Sequence, residues 1–182
     1  MHIGWDLHDV TADLNGELIY IYNKYNPPVT REDVSDWGFF PRKIHEELKQ
    51  SGGYARLKLI PGSKELLEKL KSKDRISIIT YTHPDYEEQI KEWLEKNIPG
   101  LYGKAYLTGG SKLPTCKNLG IQLLVDDSKT QVQAVTQEMG IHAVLIRTNM
   151  NKEIKESGLI HIAEDIYKAG DLIEKLRQEI ER

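Results

Sequence analysis

The sequence predicts an α/β fold built on a parallel sheet, and three observations support this prediction. Short apolar runs alternate with amphipathic helical stretches along nearly the whole chain. Two of the apolar runs end abruptly in carboxylates, as parallel strands do when they deliver side chains to the carboxyl edge of a sheet. The chain has 182 residues, 39% of them apolar, which is enough for one core and a small accessory lobe.

Five segments are predicted to be strands, because each is short, apolar and bounded by glycine, charged residues or a helix start. In chain order they are Ile3–Asp6, Arg75–Thr80, Lys104–Leu107, Ile121–Asp126 and His142–Ile146.

Four helices follow from apolar residues at helical spacing. Their apolar faces are Leu66, Leu67 and Leu70; Ile90, Trp93 and Leu94; Val132, Val135 and Met139; and Leu172, Ile173, Leu176 and Ile180. On this interpretation Trp93 and Met139 are packing residues. Cys116 is interpreted as an inert helix residue, because the chain has no second thiol.

Residues 14–60 interrupt the alternation and predict a helical insert after the first strand. The spacing of Leu14, Leu18, Ile21 and Tyr25 indicates one helix, and Thr30 begins a capping pattern for another. An insert here would fold over the carboxyl edge as a cap, so we expect a core of residues 1–13 and 61–182 and a cap of residues 14–60. The aromatic residues of the insert either stack on a substrate ring or form the insert's own core. They are Trp37, Phe39, Phe40 and Tyr54.

Charge and composition exclude several classes of partner. The net charge is −3, with 25 basic and 28 acidic residues spread along the chain, so no basic field for a nucleic acid polymer or a membrane is present. The sequence has one cysteine, no apolar leader before the first strand and no apolar run of membrane-spanning length. We therefore expect a cytoplasmic protein.

Asp6 is the strongest candidate for a nucleophile, because it ends the first apolar run at the carboxyl edge of the predicted sheet. His8 and Asp9 follow two and three residues later. Imidazole is an able acid and base near neutral pH, so His8 is a candidate for proton transfer. The alternative is that His8 makes only a structural hydrogen bond.

Asp126 and Asp127 end the fourth predicted strand, and such adjacent carboxylates repel each other unless a cation lies nearby. Oxygen ligands without a His/Cys cluster favour Mg²⁺. One of the two carboxylates could instead cap the helix that begins near Ser128, which leaves the other unexplained.

Two further positions suit a phosphate group. Thr80 ends a strand, so its hydroxyl and the following backbone N–H groups of Tyr81 and Thr82 are candidate phosphate ligands. Lys112 lies just before a predicted helix, where its ammonium would neutralise a phosphoryl group. The alternative for a single lysine is a solvated surface position.

In order and placement, Asp6, Thr80, Lys112 and the pair Asp126-Asp127 resemble the four motifs of the haloacid dehalogenase-like (HAD) hydrolases. The resemblance extends to the 5′(3′)-deoxyribonucleotidase-like branch. The stretches that carry it are Asp6–Asp13, similar to the opening D-x-D-G-V-L-A-D, Thr30–Trp37 in the cap, Tyr54–Gly62, and Lys112–Asp127. The chain departs from the pattern at His8, where the family has a second aspartate, and at Asp9, where the branch has glycine.

The resemblance implies a Rossmann-like three-layer sandwich with a parallel sheet and a small helical cap after strand 1. It also implies a Mg²⁺-dependent phosphohydrolase that acts through an aspartyl phosphate on a small phosphomonoester, with a 5′-(deoxy)nucleoside monophosphate as the expected substrate. The alternatives are a nucleotide-binding or phosphometabolite-binding protein with impaired catalysis, and a HAD hydrolase with non-phosphatase chemistry.

The resemblance also assigns roles to residues. Asp6 would attack phosphorus, with His8 and Lys112 as the other catalytic residues. Mg²⁺ would be held by Asp6, the backbone carbonyl of His8 and Asp127, while Asp126 would orient a water or Lys112. Phosphate would bind to Thr80, Tyr81 and Lys112, and the nucleoside would face Trp37 and Tyr54. Asp13 would tie the cap to the core.

Overall fold

The computed structural model describes residues 1–181 and contains a six-stranded, fully parallel sheet. The order of the strands across the sheet is β3-β2-β1-β4-β5-β6, which places β1 near the centre. The strands are β1 (His2–Trp5), β2 (Arg75–Tyr81), β3 (Ala105–Thr108), β4 (Leu123–Asp126), β5 (His142–Ile146) and β6 (Ile160–Ala163).

Helices cover both faces of the sheet. They are α1 (Leu14–Tyr22), α2 (Arg42–Gln50), α3 (Ser63–Lys71), α4 (Glu87–Asn97), α5 (Leu113–Leu119), α6 (Lys129–Met139) and α7 (Ile166–Ile180). Leu67 of α3 and Ile173 of α7 belong to one buried cluster, and Cys116 of α5 and Val132 of α6 belong to a second. The predicted α/β sandwich with a parallel sheet is therefore confirmed. None of the helices within residues 1–181 is long and apolar enough to cross a membrane.

The structure differs from the prediction at one edge of the sheet, where β6 was not anticipated. This strand is only four residues long and pairs with β5 alone, with His161 opposite Val144. A short edge strand has little sequence signal of its own, because its pairing with a neighbour is what defines it. The predicted strands themselves shift by at most two residues at their ends, and β2 continues through Tyr81.

The segment between β1 and α3 contains α1 and α2 together with three single-turn 3₁₀ helices. Helix α1 begins at Leu14 as predicted but ends at Tyr22, so Tyr25 lies beyond it and is exposed. Leu18 and Ile44 of this insert belong to the same buried cluster as Ile3 of β1. The insert therefore packs on the sheet-bearing part of the chain, and the division into a core and a cap of residues 14–60 stays a prediction.

Candidate active site

A cavity of about 570 Å³ opens at the carboxyl ends of the central strands, where β1, β2 and β4 meet. This is the size typical of small-molecule sites, and the position is the one where open α/β sheets bind their ligands. The cavity is lined by Asp6, His8, Leu14, Trp37, His45, Tyr54, Tyr81, Thr82, His83, Tyr86, Gly109, Lys112, Asp126, Asp127, Ser128, Thr130 and Gln131. The chain thus brings its predicted acidic, basic and aromatic site residues together around one space.

Backbone contacts hold Asp6 rigidly at the end of β1. Its N–H donates to the carbonyl of Val125 at 2.9 Å, which extends the pairing of β1 and β4 by one residue. The Thr11 hydroxyl donates to the Asp6 carbonyl at 3.0 Å and accepts from the indole N–H of Trp5 at 2.8 Å. The backbone N–H of Leu7 donates to Asp6 Oδ1 at 2.7 Å. The carboxylate is therefore fixed before any ligand binds.

Lys112 lies between two of the carboxylates rather than on the surface. Its Nζ is 2.7 Å from Asp6 Oδ1 and 2.7 Å from Asp126 Oδ2, and the residue is 1% exposed. Burial alone would lower the pKa of Lys112, but the two carboxylates outweigh burial and raise it. Lys112 is therefore a buried ammonium, and the alternative of a solvated surface lysine is wrong.

Asp6, Asp126 and Asp127 form a buried cluster in which one oxygen of each residue lies within 4.8 Å of the others. Burial, with repulsion from neighbouring carboxylates, raises the pKa of Asp127 well above its usual range and that of Asp126 to about 6. One ammonium does not balance three carboxylates, so the cluster favours an additional cation.

Asp126 and Asp127 differ in how they are held. Asp126 accepts from Lys112 Nζ and, through Oδ1, from the backbone N–H of Ser128 at 2.9 Å. Within residues 1–181 no hydrogen bond engages the Asp127 carboxylate, although its backbone carbonyl accepts one. The free carboxylate of Asp127 beside Asp6 suits a hard cation such as Mg²⁺, and the cluster contains only oxygen ligands.

His8 lies at the bottom of the cavity with its Nδ1 near two threonine hydroxyls, Thr80 Oγ1 at 3.3 Å and Thr82 Oγ1 at 3.5 Å. Its Nε2 is buried and has no partner among residues 1–181. Burial, with the nearby Lys112 ammonium, lowers the pKa of His8 to about 3. The imidazole is therefore neutral near neutral pH.

Asp9 adopts the left-handed backbone conformation that normally favours glycine, with φ 53°. Its side chain points away from the open cavity, since Asp9 is buried and its Oδ1 accepts from the backbone N–H of Asn15 at 2.9 Å. Burial, with smaller contributions from neighbouring charges, raises the pKa of Asp9 to about 7. The chain thus keeps the backbone turn of a glycine while carrying an aspartate.

Residues 80–82, at the end of β2, were expected to bind phosphate, and the structure agrees with this expectation only in part. Thr80 is fully buried and its hydroxyl lies near His8, and Tyr81 is 62% exposed at the rim of the cavity. The backbone N–H of Thr82 donates to the Thr108 carbonyl at 3.2 Å. The expectation that this N–H binds phosphate is therefore wrong, because it already donates a hydrogen bond to strand β3.

The aromatic residues of the insert divide into two groups. Trp37 and Tyr54 line the cavity, with Trp37 40% exposed and Tyr54 packed against His8 at 5.4 Å between ring centroids. Phe39 and Phe40 pack against each other at 5.2 Å between centroids and are not part of the cavity lining. Phe39 and Phe40 are thus core residues of the insert.

Sequence reasoning did not single out His45, His83 and Tyr86, which also line the cavity. Tyr86 packs against Tyr54 at 4.5 Å between centroids, so the two rings form a wall above His8. His45 comes from α2, whereas His83 and Tyr86 come from the 3₁₀ turn after β2, and the three match no motif. An aromatic cluster after a strand end, such as His83 to Tyr86, was the one signal available.

Asp13 lies on the insert side of the site. Its Oδ1 accepts from the N–H of Gly16 at 2.7 Å and so caps α1, and the carboxylate pairs with Arg31. Its backbone N–H donates to the carbonyl of Lys58 at 2.8 Å. Asp13 therefore joins the start of the insert to its end.

Residues 1–177 match the family model described as 5′ nucleotidase, deoxy (pyrimidine), cytosolic type C protein. No curated protein matches the chain in sequence.

Several solved structures have a similar fold, HAD-like hydrolases among them. One from Streptococcus pneumoniae has a TM-score of 0.66 at 13% identity and covers 94% of this chain and 97% of its own. One from Xanthomonas campestris has a TM-score of 0.65 at 11% identity, covering 100% of this chain and 94% of its own. CbbY from Rhodobacter sphaeroides, solved with phosphate, has a TM-score of 0.61 at 12% identity, covering 93% and 97%. At these identities the likeness extends to the fold alone.

Proposed function

The chain belongs to the 5′ nucleotidase, deoxy (pyrimidine), cytosolic type C family of HAD-like hydrolases, and on this premise we propose that it is a Mg²⁺-dependent phosphomonoesterase acting on a small phosphate ester. A 5′-(deoxy)nucleoside monophosphate is the proposed substrate. The word cytosolic in the family description also supports the expected cytoplasmic location.

One observation carries this proposal: Lys112 Nζ bridges Asp6 and Asp126 at 2.7 Å each, beside the unpaired carboxylate of Asp127. If Lys112 were only a structural residue, ion pairs with Asp6 and Asp126 would be enough to stabilise its buried charge. Such ion pairs do not explain why a third carboxylate, that of Asp127, is buried next to them without a partner. A site for a cation and a phosphoryl group accounts for both the ammonium and the free carboxylate.

In the proposed reaction the Asp6 carboxylate attacks phosphorus, and the bond from phosphorus to the ester oxygen breaks. An aspartyl phosphate remains, and water then cleaves its phosphorus–oxygen bond to release phosphate and restore Asp6. Lys112 neutralises charge on the phosphoryl oxygens, and Thr80 supplies a hydroxyl nearby. His8 stands where a group would protonate the ester oxygen and take a proton from water, but its buried, neutral ring makes it a poor acid and base, so this proton transfer is slow.

The residues that would hold Mg²⁺ are Asp6, Asp127 and the backbone carbonyl of His8, while Asp126 orients Lys112. When bound, the ion would supply positive charge to an otherwise anionic site and to the phosphoryl group.

We assign the nucleoside to the aromatic side of the cavity. Trp37 lines the cavity and is partly exposed, and the rings of Tyr54 and Tyr86, which also line it, pack against each other. Aromatic side chains stack on nucleobases of any kind, so this wall supports a nucleotide without indicating its base.

The test is a phosphate-release screen over nucleoside monophosphates and compact phosphate esters, with Mg²⁺ and with chelator, for the wild type and Asp6→Asn. We expect Mg²⁺-dependent release by the wild type and none by Asp6→Asn, with circular dichroism showing that the variant is folded. Phosphate release by Asp6→Asn at the wild-type rate would exclude the covalent mechanism.

The geometry of His8 favours a second candidate, a nucleotide-binding protein with impaired turnover. A carboxylate in this position could both accept and donate a proton, whereas His8 is buried, has an unpartnered Nε2 and sits under the Tyr54 ring. Under this alternative the wild type binds Mg²⁺ and nucleotide in calorimetry, and the phosphate-release screen finds almost no turnover.

A further inference from the structure

The single 3₁₀ turn Asn149–Asn151, which follows β5, contacts both the acidic cluster and the insert. Asn151 is 1% exposed, and its Nδ2 donates to the backbone carbonyls of Asp127 at 2.8 Å and Ile146 at 2.7 Å. Its Oδ1 accepts from the N–H of Thr148 at 3.0 Å. Both amide hydrogens of Asn151 are thus used, one of them to hold the loop that carries Asp127.

Asn149, at the other end of the same turn, holds the insert. Its Nδ2 donates to the backbone carbonyls of Glu32 and Val34, each at 2.9 Å. The side chain of Val34 is buried in the larger hydrophobic cluster. Trp37, at the cavity, follows only three residues later.

We propose that the turn Asn149–Asn151 is a clamp that positions the insert against the loop of Asp127, with Asn149 and Asn151 as positioning residues. A turn of three residues has little freedom, so a displacement at one asparagine is passed to the other. The clamp therefore sets the separation between the aromatic side of the cavity and its carboxylates. The importance of this separation for substrate binding rests on the proposed function, but the existence of the clamp does not.

Asparagine suits both positions because each side chain must donate two hydrogen bonds to carbonyl groups. Aspartate has no donor and would repel those carbonyls, and alanine would leave them without a partner. Asn149→Ala removes the contact with the insert and an exposed contact with Lys152. Asn151→Ser removes most of the contact with the loop of Asp127 while keeping a small polar side chain.

Hydrogen exchange of the free protein tests the clamp without metal or substrate. The amides of Asp33 and Val34 are suitable reporters, since they donate to the carbonyls of Thr30 and Arg31. Asn149→Ala should increase their exchange rates by roughly tenfold or more, because two hydrogen bonds restraining this segment are lost. Lys152→Ala is the matched control, because within residues 1–181 the Lys152 ammonium makes one hydrogen bond, to Asn149 Oδ1 at 3.1 Å. This variant should leave the exchange of these amides unchanged.

The Asn151→Ser variant tests whether the two contacts act together. It should weaken Mg²⁺ binding in calorimetry by roughly 10- to 100-fold, as the loss of a group that supports a metal ligand does. It should also accelerate exchange at Asp33 and Val34, which Asn151 does not touch. Weaker Mg²⁺ binding with unchanged exchange at these amides would mean two independent contacts and would overturn the clamp.

Two further outcomes keep the clamp separate from the proposed function. If Asn151→Ser does not fold, the exchange test on Asn149→Ala decides, and unchanged rates there would overturn the clamp. For any ester that the wild type hydrolyses, Asn149→Ala should raise KM while kcat is retained. A fall in kcat as large as the rise in KM would contradict positioning of the insert. Absence of all hydrolysis would refute the proposed function and leave the exchange result valid.

Discussion

At the scale of single residues, the burial of His8 bears directly on the proton transfer proposed for it. Its ring is buried beneath Tyr54, and burial together with the Lys112 ammonium lowers the pKa of His8 to about 3. A neutral imidazole is a poor proton donor, and with this pKa it is also a weak base at neutral pH. The structure therefore favours slow proton transfer through His8.

The first prediction compares His8→Asp with His8→Ala. His8→Asp should raise steady-state phosphate release on the order of 10²-fold, because a carboxylic acid in this position supplies the missing acid and base. His8→Ala should change the rate little. Both rates are measured in the same phosphate-release assay, and a loss of 10²- to 10⁴-fold in His8→Ala would instead show that the histidine itself is the working acid and base.

The second prediction concerns Lys112, the buried cation of the cluster. Lys112→Met leaves Asp6 and Asp126 without their shared partner, so the free energy of unfolding should fall by about 3–5 kcal/mol. Lys129→Met is the control, because Lys129 pairs with Glu153 on the surface and should cost less than about 1 kcal/mol. Urea unfolding measures both variants, and equal losses would show that the buried position of Lys112 has no special weight.

At the scale of elements, the insert supplies one wall of the cavity and the strand ends supply the floor. The insert begins directly after β1, and its Trp37 and Tyr54 line the same cavity as Asp6 and Lys112. Phe39 and Phe40 pack within the insert and hold this wall in place. Substrate choice is thus expected to depend on the insert, and chemistry on the strand ends.

The third prediction tests this division with Trp37→Ala. If Trp37 stacks on a nucleobase, its loss should weaken nucleotide binding by about 1–3 kcal/mol and so raise KM for the nucleotide. The KM for a compact phosphate ester should stay nearly unchanged. Tyr25→Ala is the control, because Tyr25 is an exposed aromatic residue of the insert that does not line the cavity. Equal increases in KM for both substrates would mean that Trp37 only supports the insert.

At the scale of the whole molecule, a second cluster of ionisable residues affects stability rather than chemistry. His142 and His161 on β5 and β6 lie side by side, with His142 Nδ1 2.9 Å from His161 Nε2. Burial, and then the proximity of His142, lowers the pKa of His161 below its ordinary value of 6.5. The charges of Glu156, Glu179 and Lys175 lie close enough to act on the same ring.

The fourth prediction gives the sign of this effect. Because the pKa of His161 is lower in the folded state, the unfolded state binds more protons as the pH falls below 6.5. The contribution to stability is therefore complete above that pH and is lost towards acid. His161→Gln should reduce the difference in free energy of unfolding between about pH 7.5 and about pH 5, and His142→Gln should reduce it too. An unchanged difference in both variants would show that other groups cause the acid sensitivity.

Much of the site could be predicted from the sequence because its residues follow apolar strands. Parallel strands bring their carboxyl ends to one edge, so Asp6, Thr80 and Asp126-Asp127 were expected to meet. The structure places Asp6, Asp126 and Asp127 around one cavity, and Thr80 is buried beside His8, which lines the same cavity. Lys112 follows β3 and reaches the same edge. Their roles in catalysis and metal binding stay predictions.

The remainder depends on contacts between residues distant in the chain, which have no local pattern. The edge strand β6 exists because β5 pairs with it, and the N–H of Thr82 is unavailable because Thr108 lies beside it. Tyr86 faces Tyr54 only after α4 packs against the insert. Asn149 and Asn151 hold carbonyls that lie elsewhere in sequence.

The sequence by itself determined the parallel α/β fold and the grouping of carboxylates at one edge of the sheet, because periodicity and strand-end carboxylates are local properties of the chain. Only the tertiary structure decided the state of each group. Burial lowers the pKa of His8, so that its ring is neutral. Folding places the Lys112 ammonium between the carboxylates of Asp6 and Asp126 and leaves the Asp127 carboxylate without a hydrogen bond within residues 1–181. Solvation and charge–charge distances control these properties, and both arise only when the chain has folded.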